Sequence, residues 1–325
     1  MAWSAISFLY DHVQVAGAQL KAIAALLDGL VDYAGLFPPA SEDMRPALES
    51  YGSYLASPDN SALGRFIVPL RRLKELENVG SDLFPRKRDS EPWRLSVLVA
   101  DDVHTAGEEM LRFNRHHSPG STAGHVVIDV AELKASTPAE IKSQHDELPR
   151  SFTSYFEIPT GGDVSPLVKA LAGAGSRAKI RTGGVTPEAF PPAEEIIDFI
   201  SACRREGVPF KATAGLHHPV SGTYRLTYEP DAPTGKMYGY LNVFMAAALV
   251  YAGEPDDTAL ALLQEEDPLA FSFTDDAILW RDKRIDVDQI QASRANFAIS
   301  FGSCSFREPV DEIESLAHAV RLKNQ

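Results

Sequence analysis

Residues 177–219 read RAKIRTGGVTPEAFPPAEEIIDFISACRREGVPFKATAGLHHP, and this stretch decides the fold. Two short runs typical of strands, each carrying one lysine, flank a segment with the apolar period of a helix. Prolines stand at the entrance of that helix, and Gly207 follows its end. A strand–helix–strand unit forms a parallel pair with a right-handed crossover. Lys179 and Lys211 are therefore predicted to lie side by side near the carboxyl edge of one sheet.

The rest of the chain repeats this alternation of apolar runs and helical segments. Mostly continuous apolar runs are typical of buried parallel strands. Eight strands are predicted, two in the stretch above and the others at 31–39, 65–70, 94–100, 125–130, 153–158 and 270–274. Residues 287–301 are predicted as a helix. The class is α/β, and the count predicts a closed (β/α)8 TIM barrel, with an open doubly wound sheet as the alternative.

The length of 325 residues fits one barrel with additional segments. We predict a single barrel domain over 1–325, which includes two terminal additions. Residues 1–30 form an N-terminal helical extension, in which 13–30 have the period of a helix. Residues 285–325 form C-terminal helices that pack on the barrel.

Composition limits the partners of the protein. The 31 basic and 45 acidic residues give a net charge of −14, which argues against nucleic acid or an anionic membrane but not against an anionic substrate. Cys203 and Cys304 form no disulfide framework, and the first residues lack the features of a signal peptide. The longest apolar run, Val243–Ala252, is too short to span a bilayer. We expect a cytoplasmic protein and leave a homo-oligomer open.

Polar side chains follow several of the predicted strands, at the end where barrel enzymes place their active sites. Like charges and desolvation depress the pKa of a lysine, and a neutral lysine amine can form a Schiff base with a carbonyl. We predict Lys179 as the nucleophile, Lys211 as the perturbing cation, and Glu157 or Asp129 as the proton-transfer group. The residues expected to hold the substrate are Arg181, Thr182, Gly183, Thr213, His217 and His218. The alternative without chemistry is a structural ion-pair network between the lysines and Glu157.

Two short motifs resemble a known family. The run 179–184, KIRTGG, resembles the Lys-x-[Ser/Thr]-Thr-Gly of the deoxyribose-phosphate aldolase group of class I aldolases. The run 211–216, KATAGL, is similar to that group's later Lys-Ala-Ser-Gly-Gly-Ile. The resemblance implies a barrel lyase in which Lys179 forms the Schiff base and Lys211 is its electrostatic partner, acting without a cofactor on a small anionic carbonyl compound. The chain departs from the pattern at Arg181, at Ala214 and in His217-His218-Pro219.

Two other functions stay open. His217 and His218 with Glu157 or Asp129 would suit a divalent metal such as zinc, in a metal-dependent lyase or hydrolase. The lysines would also suit a non-catalytic protein that binds an anion or a sugar phosphate. A second histidine pair, at 116–117, is predicted to lie at a helix end or in a loop. Cys304, without an assigned histidine partner, is expected to be inert.

Overall fold

The computed structural model describes residues 19–100 and 102–323. Eight parallel strands close into a barrel, which confirms the predicted (β/α)8 TIM barrel. The first seven barrel strands follow one another in space as they do in the chain. They are β1 (Val31–Tyr33), β2 (Leu63–Pro69), β3 (Trp93–Leu98), β4 (Val126–Lys134), β5 (Thr153–Glu157), β6 (Arg177–Arg181) and β7 (Phe210–Thr213). The eighth, Ala298–Ser303, lies between β7 and β1 and closes the barrel.

Helices surround the barrel and cover its strands. The α-helices are α1 (Lys21–Leu27), α2 (Met44–Leu55), α3 (Leu73–Gly80), α4 (Val103–His116), α5 (Pro138–Glu147), α6 (Ser165–Ala174), α7 (Ala193–Glu206), α8 (Tyr240–Ala252), α9 (Asp256–Leu263), α10 (Val287–Asn296) and α11 (Arg307–Lys323). As predicted, Gly207 follows the end of α7, and it adopts a φ of 67° that glycine accepts without strain. In the described part of the chain, no helix has the length and apolar content to cross a membrane.

Of the helix predicted over 13–30, Lys21–Leu27 forms α1, residues 19–20 and 28–30 are not helical, and residues 13–18 lie outside the described residues. Between β7 and α8 the chain forms an antiparallel hairpin of β8 (Gly222–Arg225) and β9 (Thr234–Met237). Because it follows a barrel strand and precedes the next helix, this hairpin belongs to the carboxyl end of the barrel, where active sites of this fold lie.

The eighth barrel strand differs from the prediction. Residues 270–274 do contain a strand, β10 (Phe271–Phe273), but it pairs with β11 (Ala277–Trp280) and β12 (Lys283–Asp286) in a separate antiparallel sheet. The helix predicted over 287–301 stops at Asn296, and the barrel strand is β13 (Ala298–Ser303). Periodicity does not separate a short buried strand from a buried helical turn, which explains the error. The segment 285–325 thus contributes a barrel strand as well as two helices.

Candidate functional site

Buried charges lie inside the barrel at the level of the two lysines. The register of β6 and β7 places Lys179 opposite Lys211, which confirms their predicted neighbourhood. Lys211 Nζ donates to Asp32 Oδ2 at 2.6 Å and to Glu132 Oε1 at 2.7 Å. Lys179 Nζ lies 2.8 Å from Glu132 Oε2 and 2.9 Å from Glu157 Oε2. Glu132 therefore bridges the two lysines.

Neutral donors from neighbouring strands hold the carboxylates in place. Ser96 on β3 donates its hydroxyl to Glu132 Oε1 at 2.6 Å. Ser300 on β13 donates to Asp32 Oδ2 at 2.8 Å, and the Arg65 backbone N–H donates to Asp32 Oδ1 at 2.7 Å. Buried carboxylates need such partners, because an unpaired charge in the interior is costly. The cluster is therefore organised before any ligand enters.

The two lysines differ in exposure and in the quality of their contacts. Lys211 has 1% of its side chain exposed and makes two directed hydrogen bonds. Burial opposes its charge, but Asp32 and Glu132 outweigh burial and hold the pKa of Lys211 above its usual range. Lys179 forms ion pairs with Glu132 Oε2 and Glu157 Oε2. Neither of these two oxygens has a hydrogen-bond partner of ordinary geometry within residues 19–100 and 102–323. Lys211 is thus enclosed between Asp32 and Glu132, while Lys179, paired at 2.8 and 2.9 Å, has 6% of its side chain exposed.

The lysines lower the pKa values of the carboxyl groups beside them. Burial alone raises the pKa of a carboxyl group. For Glu132 this effect is outweighed by Lys179 and Lys211, which lower its pKa. For Glu157 burial is likewise outweighed, first by Lys179 and then by Arg181, so that its pKa is also lowered. Both carboxylates are charged at neutral pH.

A cavity of about 440 Å³ opens above this cluster at the carboxyl ends of the strands. We call it the barrel cavity. Lys179 and Glu132 form its floor, Lys211 does not line it, and its polar wall includes Arg181, Thr213, His217 and Cys304. A neighbouring cleft of about 540 Å³ runs along Glu157 and Arg181. A small carbonyl compound in the barrel cavity would meet Lys179 and not Lys211.

The predicted substrate-binding residues of 181–183 have different positions. Arg181 lines the barrel cavity and lies 3.3 Å from Glu157 through its Nε atom. Thr182 is fully buried and donates its hydroxyl to the Ala214 carbonyl at 2.7 Å, so it supports the turn after β7 rather than the cavity. Gly183 lines the cavity, and a Cβ there would lie 2.3 Å from the Phe190 ring. Glycine is required at 183 for this close packing.

Asp129 does not take part in the lysine cluster. The prediction placed it near the end of its strand, but β4 continues to Lys134, so Asp129 lies in the first half of the strand. Its carboxylate accepts hydrogen bonds from Arg65, at 2.6 Å, and from Arg94. The carboxylate between the lysines is Glu132, three residues further along β4, which the sequence analysis missed together with Asp32.

The histidine pair contacts the last helix. His217 Nδ1 lies 3.4 Å from Glu308 Oε2, and His218 Nδ1 lies 2.9 Å from Glu312 Oε2. The predicted metal ligands, the two histidines with Glu157 or Asp129, are therefore not gathered. Among the described residues, the group close enough to share a metal ion is Glu77, His116 and His117. Glu77 lies on α3, and the two histidines lie at the end of α4, which runs back from the carboxyl end of the barrel.

No family model matches the chain, and neither the curated proteins nor the solved structures contain a match. The resemblance to deoxyribose-phosphate aldolases therefore rests on the two lysine motifs alone.

Proposed function

We propose that the protein is a lyase that forms a Schiff base between Lys179 and a small anionic carbonyl compound. The observation that carries the proposal is the difference between the two lysines, of which Lys179 lines the barrel cavity and Lys211 is sealed beneath it. Both share Glu132. The position of Lys179 beside the cavity gives a ligand access to its ammonium group, which a fully enclosed ion-pair network would lack.

The surroundings of Lys179 suit each stage of imine formation. The proton that the amine must lose has an acceptor 2.9 Å away in Glu157 Oε2. The nitrogen then bonds to the carbonyl carbon, the C=O π pair moves to the oxygen, and that oxygen takes a second proton from the nitrogen. Glu157 returns its proton to the resulting hydroxyl, water leaves, and the iminium carries its charge where the ammonium charge was. Glu132 and Glu157 already face that position and would stabilise the iminium without rearranging.

Cleavage of the carbon–carbon bond follows from the same charge. The electron pair of the breaking bond moves into the iminium and forms an enamine, while a hydroxyl on the departing carbon loses its proton and becomes an aldehyde. Lys211 keeps its proton and contributes a fixed positive charge behind Glu132. This charge limits the basicity of Glu132, which leaves Glu157, 2.9 Å from the Lys179 nitrogen, as the proton carrier.

Cations on the wall of the barrel cavity favour an anionic substrate. Arg181 and His217 line the cavity together with Thr213, although the chain as a whole has a charge of −14. A guanidinium binds a carboxylate or phosphate through its fork of N–H donors. We therefore assign the anionic end of the substrate to Arg181 and its carbonyl to Lys179.

The test is a cleavage assay with β-hydroxy carbonyl compounds that carry a carboxylate or a phosphate, scored by release of an aldehyde. We expect activity that survives EDTA and is abolished in Lys179→Met. Lys169→Met, a change of an exposed lysine on α6, is the matched control and should leave the activity unchanged. Loss of activity with EDTA would favour a metal-dependent enzyme, and ligand binding without turnover would favour an anion-binding protein; either result overturns the proposal.

A further inference from the structure

A second group of reactive side chains stands at the edge of the barrel cavity. Cys304 Sγ lies 4.0 Å from His217 Nδ1 and 3.6 Å from the Tyr228 hydroxyl. Glu308 Oε2 contacts both neighbours of the sulfur, since it lies 3.4 Å from His217 Nδ1 and 3.1 Å from the Tyr228 hydroxyl. We call these four residues the thiol cluster. They come from the loop after β7, the β8–β9 hairpin, the end of β13 and the first turn of α11.

The thiol cluster places a charged imidazole next to the cysteine. Burial opposes the charge of His217, but the hydrogen bonds to Cys304 and Glu308 outweigh burial and raise the pKa of His217 to about 10. Burial is also outweighed at Glu308, where His217 lowers the pKa of the carboxyl group. The sulfur of Cys304 therefore lies 4.0 Å from a cationic ring that can give a proton to a group bonding at the sulfur. The structure thus gives Cys304 the histidine partner that the sequence did not assign.

Cys304 is shielded from bulk water but open to the cavity. Only 6% of the residue is exposed, yet it lines the same cavity as Lys179. The other cysteine, Cys203 on α7, is fully buried, and burial raises the pKa of its thiol. The chain thus carries an internal control for the reactivity of Cys304.

We propose that Cys304 is a second nucleophile of the barrel cavity, which takes an aldehyde as a thiohemiacetal with His217 as the proton carrier. The sulfur bonds to the carbonyl carbon, the C=O π bond breaks, and its electron pair moves onto the oxygen. That oxygen takes the proton that His217 holds, so no oxidant or reductant is needed. The choice of an aldehyde rests on the proposed function, because cleavage at Lys179 releases one in the same cavity.

The first experiment is alkylation with iodoacetamide, followed by mass spectrometry of the native protein. We expect Cys304 to be modified and Cys203 to stay unmodified until the protein is denatured. His217→Gln should slow the modification of Cys304 about tenfold, since it removes the positive charge in contact with the sulfur. His218→Gln is the matched control, because His218 contacts Glu312 instead. Equal rates in the two variants, or an unreactive Cys304, would overturn the proposal.

The second experiment uses glycolaldehyde labelled with carbon-13 at its carbonyl carbon. We expect a protein-bound tetrahedral carbon signal in the wild type and in Lys179→Met, and its loss in Cys304→Ser. A signal that persists in Cys304→Ser refutes the thiohemiacetal. A signal in Lys179→Met together with no cleavage activity in the wild type would refute the lyase and leave the thiol inference standing, so the two failures are distinguishable.

Discussion

Replacing Glu132 with glutamine removes the carboxylate that contacts both lysines. The amide keeps one acceptor oxygen for Ser96 or Lys211, but it loses the charge and turns an N–H₂ group towards an ammonium. A hydrogen bond to a charged group is worth about 1.5–3 kcal/mol. Lys211 keeps Asp32 and Lys179 keeps Glu157, so the cost falls below that of a fully broken buried pair. We expect the free energy of unfolding to fall by about 2–3 kcal/mol at neutral pH.

The effect of Glu132→Gln depends on pH in a defined direction. The pKa of Glu132 is lowered in the folded protein, so its contribution to stability is complete above the unfolded value of about 4.3 and is lost as the pH falls below it. The difference between wild type and variant should therefore be largest near neutral pH and shrink below about pH 4.

Urea unfolding followed by circular dichroism measures this difference. Asp129→Asn is the matched control, because it makes the same change on the same strand but faces Arg65 and Arg94, away from the lysines. Asp129 is partly exposed, and we expect a loss of roughly 1 kcal/mol there. A Glu132→Gln variant as stable as wild type at neutral pH, or a difference that does not change in acid, would refute the role given to Glu132.

Three further outcomes are expected. Lys211→Met should lower the free energy of unfolding by about 3–5 kcal/mol in urea titrations, because it leaves two buried carboxylates without their shared cation. The pKa of His217 is raised in the folded protein, so the stabilisation it provides is lost as the pH rises. Between about pH 7 and about pH 10 His217 should therefore lower the free energy of unfolding by roughly 1.4 kcal/mol per pH unit. His217→Gln should remove that slope. Arg181→Met should raise KM more than it lowers kcat in the cleavage assay, since Arg181 is assigned to the anionic end of the substrate.

Much of the fold follows from local pattern in the sequence. Equivalent lysines in two strands joined by one helix predict the pairing of Lys179 with Lys211, because parallel neighbours share a register. The eighth strand was not predictable in the same way. Phe271–Phe273 and Ala298–Ser303 are both short and apolar, and only the closure of the barrel between β7 and β1 selects the second.

The site was less predictable than the fold. The register of β3 against β4 shifts between Leu95 and Ser96, so strict alternation does not tell which carboxylate of β4 points inward. Glu132 was missed mainly because the predicted strand ended at residue 130, whereas β4 continues to Lys134. The contact of Cys304 with His217 arises because β13 lies beside β7, with Gly302 opposite Thr213. A pairing between strands so distant in sequence leaves no local signal.

The most direct test of the central claim is reductive trapping of the imine. The protein is incubated with small aldehydes, 2-oxo acids and sugar phosphates, reduced with borohydride, and digested for mass spectrometry. We expect an adduct on Lys179 that is lost in Lys179→Met and still forms, more slowly, in Lys211→Met. An adduct on Lys211, or none across the whole panel, would contradict the account.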